Sequence, residues 1–354
     1  MLRSKLVQVF VCLLLSLALF GCKKKKTASN NTPSTARKTA KKQTLVLYSG
    51  RSKSLVQPLV EQFEKKTGIQ VIVKYGKTAQ LALLLKEELK QKKSPADVFW
   101  AQDAGALSLL AASKHLKALP KSSLDKVPAL FRSKSGTWLA TSGRARVLAY
   151  APSKVKAADM PKSILDLTKP RWKGKIGWAP TNASFIAFVT ALRKKLGEEK
   201  AEAWLKGIIA NQPRRYPKNT PQIRALAAGE IEVGLPNHYY LLRFKHKDPK
   251  YPVQQAFFQD GDIGNLVNVA GAGILNTAKN SKAAQQFVDF LLSKQAQTFF
   301  TQKVFEYPVV AGIKPHKALL PLKDLLKKTP KLALEALQDL PNTLKLLRKV
   351  GLLK

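Results

Sequence analysis

Cysteine is nearly absent from this chain: Cys12 and Cys22 are the only two in 354 residues, and both fall in the first 22. Histidine is scarce too, with His115, His238, His246 and His316 scattered along the sequence. Acidic residues number 22 against 62 lysines and arginines. No nucleophile elbow, P-loop, HExxH or paired-histidine motif is present, which argues against hydrolase, nucleotide-binding and zinc-peptidase chemistry. A net charge of +40 first suggests nucleic acid. The lysines, however, are dispersed along amphipathic segments and form no tract with interleaved aromatics, so no nucleic-acid partner is expected. An acidic habitat and attraction to anionic lipid headgroups both fit such a surface, and the sequence does not separate them.

The first residues read as a processing signal. Arg3 and Lys5 precede an apolar run from Leu6 to Phe20, broken only by Gln8 and Ser16, which is short for a membrane span. It ends in Leu19-Phe20-Gly21-Cys22, which resembles a lipoprotein signal-peptidase box, although Phe20 is bulkier than usual there. A plain secretory signal and an uncleaved anchor are the competing readings. On the lipoprotein reading, residues 1–21 are a signal peptide and Cys22 is lipidated, so the protein is membrane-anchored and extracytoplasmic. The exported chain would then have no disulfide, thiolate metal site or cysteine nucleophile. Residues 22–43, rich in Lys, Thr, Ser, Asn and Ala, read as a disordered tether. About 310 residues remain, enough for two compact lobes.

Residues 44–48 form a β-rich run closed by Ser49-Gly50, and Leu55, Val56, Leu59, Val60 and Phe63 follow at helical spacing. A second strand is predicted over 69–75, a helix over 78–89 and a third strand over 96–100. The βαβαβ pattern implies a parallel sheet with helices on both faces, and ligands at the carboxyl ends of its strands, near 49–53 and 101–105. Residues 140–152 read as a strand headed by a polar loop at 141–144, where the chain could cross to a second lobe. A helix over 183–196, capped by Thr181 or Asn182, directs its free amides outward and so suits a small anion. Residues 232–240 read as a strand ending in the tyrosines, 266–275 as a strand returning to the first lobe, and 283–300 as one amphipathic helix. The tail from 320 alternates leucine-rich segments with Pro330 and Pro341.

The most informative motif is Asn237-His238-Tyr239-Tyr240. A phenolate is a hard anionic donor, and a hard trivalent cation can displace its proton although the free phenol pKa is about 10. A structural tyrosine pair with locally satisfied hydroxyls is the competing account.

Taken together, Tyr48-Ser-Gly-Arg-Ser52, Pro95-Ala-Asp-Val-Phe-Trp100, Ser142-Gly-Arg144-Ala-Arg146, Trp172-Lys-Gly-Lys-Ile-Gly177, Pro180-Thr-Asn-Ala-Ser-Phe185, the tyrosine motif, Gly264-Asn-Leu-Val-Asn268 and Glu306-Tyr-Pro308 carry a resemblance. Over nearly all of residues 44–354 the chain is similar to the ferric-ion-binding proteins of iron(III) ABC importers. The resemblance implies an α/β, two-lobed periplasmic-binding-protein fold, each lobe a mixed sheet flanked by helices, with two hinge crossovers and a ligand cleft between the lobes. Lobe 1 is expected over 44–144 plus about 269–320, and lobe 2 over 145–268 plus about 321–354. The implied cargo is Fe(III) on Tyr239 and Tyr240 with a synergistic anion, carbonate or phosphate, held by Arg144, Asn182, Ala183, Ser184 and Asn237. Delivery is to an ABC permease, by a non-catalytic monomer.

The sequence departs from that family pattern at two lobe 1 positions. Ser52 stands where many relatives have a histidine, and Gln102 where they have a glutamate. Asp103 is the nearest carboxylate, either a ligand or a helix cap. His238 is a further donor only if its strand has already ended, since neighbours on a strand face opposite ways. With fewer protein ligands, a receptor for another anionic or chelated solute, such as ferric citrate, phosphate or an organic acid, is the alternative.

Overall fold

The computed structural model describes residues 43–354. The expected signal peptide, the lipidated Cys22 and all but the last residue of the tether lie outside the described residues.

The first sheet is built from β1 (Thr44–Ser49), β2 (Gln70–Tyr75), β3 (Val98–Ala101), β4 (Leu139–Ala145) and the late β10 (Val267–Ile274), in the order β2-β1-β3-β10-β4. β1 runs parallel to β2 and β3, and β10 is antiparallel to β3 and β4. The second sheet combines β5 (Leu148–Tyr150), β6 (Ile176–Trp178), β7 (Arg214–Arg215), β8 (Val233–Gly234) and β9 (Gln254–Ala256), in the order β7-β6-β8-β5-β9. Each sheet is mixed and flanked by helices, so the fold is the expected α/β, two-lobed type.

Local sequence explains the regular parts. Helix Lys53–Thr67 buries Val56, Leu59, Val60 and Phe63, one stripe at helical spacing, and stops at Gly68, whose φ of 72° is the left-handed cap that glycine adopts without strain. Helix Ala183–Leu196 starts as the sequence predicts, with Asn182 as its cap.

The chain changes sheets twice. Arg146 and Val147 carry it from β4 to β5, and the segment between β9 and β10 brings it back. Arg146 pins the first crossing: it is buried, donates to Leu235 O at 2.7 Å and Ser184 O at 3.3 Å, and lies 4.8 Å from the Phe188 ring centroid. Burial, and then the neighbouring Arg144 charge, lower its pKa to about 9. The return segment is stapled by Asn265, which accepts from Phe258 N and donates to Gln259 O and Lys328 O.

Three sequence expectations are corrected. Residues 141–144 are strand, not a loop, inside a β4 buried along its whole length. The Thr141 and Ser142 hydroxyls are satisfied within the core: Trp100 Nε1 donates to Thr141 Oγ1, that hydroxyl donates to Ala270 O, and Ser142 Oγ donates to Glu306. The amphipathic 283–300 stretch is two helices, Ser281–Leu291 and Lys294–Gln302, because Ser293 caps the second by accepting from Ala296 N. The tyrosine pair stands on a helix, His238–Lys247, and not at a strand end. The strand stops at Gly234, since Pro236 has no N–H to extend the ladder.

The tail is not confined to the second sheet's side. Glu335 accepts from Lys134 N beside the first sheet, and Thr329 Oγ1 accepts from Val267 N at the return crossing. Asp339 pairs with Arg193, and Thr343 bonds Thr190, on helix Ala183–Leu196.

Candidate binding cleft

The ends of the strands deliver the site. A cleft of about 620 Å³ is lined by Gly50–Leu55 after β1, Tyr75–Thr78 after β2 and Gln102 after β3, together with Arg144 of β4. Facing them are Thr181–Ala183 after β6, Pro217, Lys218 and Thr220 after β7, and Tyr239, Tyr240 and Arg243 after β8. Loops at the carboxyl ends of both sheets meet there, as an open α/β sheet requires of its ligand site.

Tyr239 and Tyr240 occupy the first turn of their helix. Their ring centroids are 4.3 Å apart with planes inclined by 31°. Arg243, one turn on, sets its guanidinium 4.8 Å from the Tyr239 centroid and 5.8 Å from that of Tyr240. Burial, and then the adjacent Tyr239, raise the Tyr240 pKa, so its phenol is protonated until something displaces the proton.

Arg144 is the most exceptional group in the cleft wall. It is 1% exposed, yet none of its three guanidinium nitrogens has a hydrogen-bond partner. A buried cation in that state is costly unless an anion arrives. Opposite stands the start of helix Ala183–Leu196. Asn182 Oδ1 accepts from both Ser184 N and Ser184 Oγ, which leaves Ala183 N as a first-turn amide at the cleft.

Behind Arg144 lies a second arginine with a partner. Arg51 Nη2 meets Glu306 Oε1 at 2.7 Å, and Arg51 Nη1 donates to Ser142 Oγ at 3.0 Å. Burial pushes the Glu306 carboxyl up, but Arg51, Arg144 and the hydrogen bonds outweigh it and hold the carboxyl below its usual range. The sequence reading missed this pair because 255 residues separate its members.

Of the expected site residues, Tyr239, Tyr240, Ser52, Gln102, Arg144, Asn182 and Ala183 line the one cleft. Four others do not. Asp103 is the cap of helix Ala104–Ala112, accepting from Ala106 N at 3.0 Å, and burial raises its pKa. His238 is buried on the first helical position, with Nε2 donating to Phe305 O at 2.7 Å and Nδ1 accepting from Ala145 N at 3.1 Å. Neither ring nitrogen is left for a metal. Ser184 gives its N–H and hydroxyl to Asn182, and Asn237, at the N-cap position of the tyrosine helix, is buried with its Nδ2 unpartnered. The sequence reading also missed Lys53, Lys77, Lys218 and Arg243 as lining residues. Arg243 was the recoverable one, four positions from Tyr239, once the segment is read as helix.

With its two mixed sheets, two crossings and a cleft between them, the molecule is a two-lobed solute-binding protein. The sequence profile of the bacterial extracellular solute-binding proteins matches residues 93–325. An Fe(3+)-binding periplasmic protein of Serratia marcescens is 34% identical over 286 residues, covering 80% of this chain and 84% of its own. The major ferric iron-binding protein of Neisseria meningitidis serogroup B is 33% identical over 315 residues, covering 87% and 93%. The crystal structure of iron-bound HitA from Pseudomonas aeruginosa superposes with a TM-score of 0.82 at 36% identity, covering 87% of this chain and 99% of the other. The chain belongs to the ferric-ion-binding family of bacterial extracellular solute-binding proteins.

Proposed function

We propose that this protein captures Fe(III) outside the cytoplasm and delivers it to an ABC permease, with Tyr239 and Tyr240 as the protein's anionic ligands. The observation that carries the reading is the adjacency of two phenols to an unpartnered, buried Arg144 in one cleft. A hard trivalent ion displaces the phenol protons. A synergistic anion, carbonate or phosphate, then bridges the metal to Arg144 and the Ala183 amide, which neutralises a guanidinium that is otherwise left unpaired. Ser52 and Gln102 face the metal as neutral groups, and Asp103 and His238 stay in their structural roles.

Residues 44–144 with about 269–320, and 145–268, act as the two lobes that close on the cargo, with the tail bonded to both. Binding shifts an open–closed equilibrium, and the permease recognises the closed form. A lipid on Cys22 and the 22–43 tether would hold the protein, as a monomer, at the membrane beside its permease.

A visible absorption titration tests the reading. Fe(III) supplied as a weak chelate should produce a phenolate-to-iron charge-transfer band with the wild type. Its affinity should fall as pH drops from 7 to 4, because protons compete for the phenols. Binding that is unchanged over that range, or an intact fold with no band under carbonate, phosphate or citrate, would refute tyrosinate coordination.

A further inference from the structure

Arg144 has buried carboxylates for neighbours and bonds neither of them. Burial disfavours the ionised form of both Glu306 and Asp103, and the Arg144 charge favours it. All three guanidinium nitrogens nevertheless lack a hydrogen-bond partner. Asp103 is committed to its own helix, where it accepts from Ala106 N at 3.0 Å. Glu306 is 0% exposed and is committed elsewhere as well: Oε1 meets Arg51 Nη2 at 2.7 Å, and Oε2 accepts from the Ser142 hydroxyl.

The groups that hold Glu306 come from distant places in the chain: Arg51 just after β1, Ser142 on β4, and Glu306 itself beyond helix Lys294–Gln302. Ser142 and Arg144 alternate along β4 and so share one face. The Ser142 hydroxyl, with the Glu306 carboxylate on it, therefore stands on the side of the strand from which Arg144 extends. Arg51 supplies the opposing pull. Its backbone N–H donates to Ser49 Oγ at 3.2 Å and its Nη1 to Ser142 Oγ at 3.0 Å. Its guanidinium carbon lies 5.5 Å from the Trp100 ring centroid and 5.7 Å from that of Phe300, which fixes the group in place. A buried carboxylate beside two guanidiniums pairs with the better placed one, because an unpaired buried charge is costly. Here the placement favours Arg51.

We propose that Arg51 and Ser142 are positioning residues that withhold Glu306 from Arg144, so that the Arg144 guanidinium stays available to an anion. The inference rests on the anion's place in the reading above and adds the residues that keep Arg144 available to it. Without this clamp Glu306 turns to Arg144 and forms an internal ion pair that excludes the anion. The charges of Arg51 and Glu306 cancel. Removing both should leave the attraction of Arg144 for an anion nearly unchanged, whereas removing either one alone should change it, in opposite directions.

Isothermal titration calorimetry of the full-length protein with inorganic phosphate, in the absence of iron, tests this. Arg51→Met should weaken phosphate binding by about tenfold or more, as the charge-assisted bonds of Arg144 pass to Glu306. Glu306→Gln should tighten binding by about threefold or more, and the double variant should return to within about threefold of the wild type. Ser142→Ala keeps the ion pair, removes the other bond on Glu306 and should weaken binding by about threefold, which decides the matter if Arg51→Met does not fold. A merely structural role would lower stability with neither the reversal of sign nor the rescue. A double variant as weak as Arg51→Met would make Arg51 itself a ligand of the anion and overturn the proposal. Wild-type affinity in both Arg51→Met and Ser142→Ala would overturn it too, as would phosphate that binds the wild type no more tightly than Arg144→Met. The ferric reading fails separately: phosphate binding that follows the predicted pattern, with no charge-transfer band when iron is added, leaves this inference standing and removes the iron.

Discussion

The unpartnered Arg144 gives the sharpest quantitative expectation. Arg144→Met keeps an unbranched side chain of comparable length but removes the guanidinium. No hydrogen bond is lost in the unliganded protein, because none is made there. The charge does attract Glu306 and Asp103 and repel Arg146, and these contributions oppose one another. The unliganded melting temperature should therefore not fall, and should rise to the extent that burying the unpaired guanidinium is costly, so the deficit should appear only when an anion binds. With phosphate at about one hundred times its Kd, the wild type gains about 2.7 kcal/mol, or roughly 4 °C for a chain of this size. Losing charge-assisted hydrogen bonds worth about 3 kcal/mol weakens binding about a hundredfold. At the same phosphate concentration the variant would then gain only about 0.4 kcal/mol, a shift of about 1 °C. Differential scanning fluorimetry with and without phosphate reads both numbers. A variant that keeps the full phosphate shift would refute Arg144 as the anion's anchor.

Two further expectations concern the frame around the cleft. Burial lowers the His238 pKa from 6.5 to about 4, with its hydrogen bonds to Phe305 and Ala145 opposing only in part. The unfolded chain therefore takes up a proton that the folded chain refuses, and stability should fall from about pH 6.5 toward 4 by roughly 3 kcal/mol. Urea unfolding across that range should show this slope in the wild type and not in His238→Gln, and identical slopes would contradict the assignment. A Cβ on Gly105 would sit 2.3 Å from Leu337 O, so Gly105→Ala should push helix Ala104–Ala112 off the tail and cost about 1–3 kcal/mol in a urea melt. An unchanged midpoint would mean that the tail does not hold that close approach.

The first βαβαβ unit was legible because its apolar residues keep strict periods and its first helix ends at Gly68. The Asn182 cap was legible for a related reason: a short polar side chain just before an apolar run has few other uses. Strand β4 was not, because Thr141 and Ser142 are buried through long-range partners at Ala270 and Glu306 while Arg144 is buried with no hydrogen-bond partner, and polarity in a window reads as loop. The tyrosine helix was hidden by its own start. Asn237 makes no side-chain cap bond and Pro236 precedes it, so the run looked like the end of a strand. That error concealed Arg243 above the two phenols, although the tyrosines themselves had been singled out. The concentration of cations in the cleft was equally invisible, since Lys53, Lys77, Arg144, Lys218 and Arg243 come together only when five helix starts and the end of β4 converge.

The most direct test of the tyrosinate claim is a crystal of the iron-loaded protein measured on both sides of the iron absorption edge. An anomalous peak in contact with the phenol oxygens of both Tyr239 and Tyr240, with anion density reaching Arg144, is the predicted result. A peak elsewhere in the cleft, or iron touching neither phenol, would contradict the account.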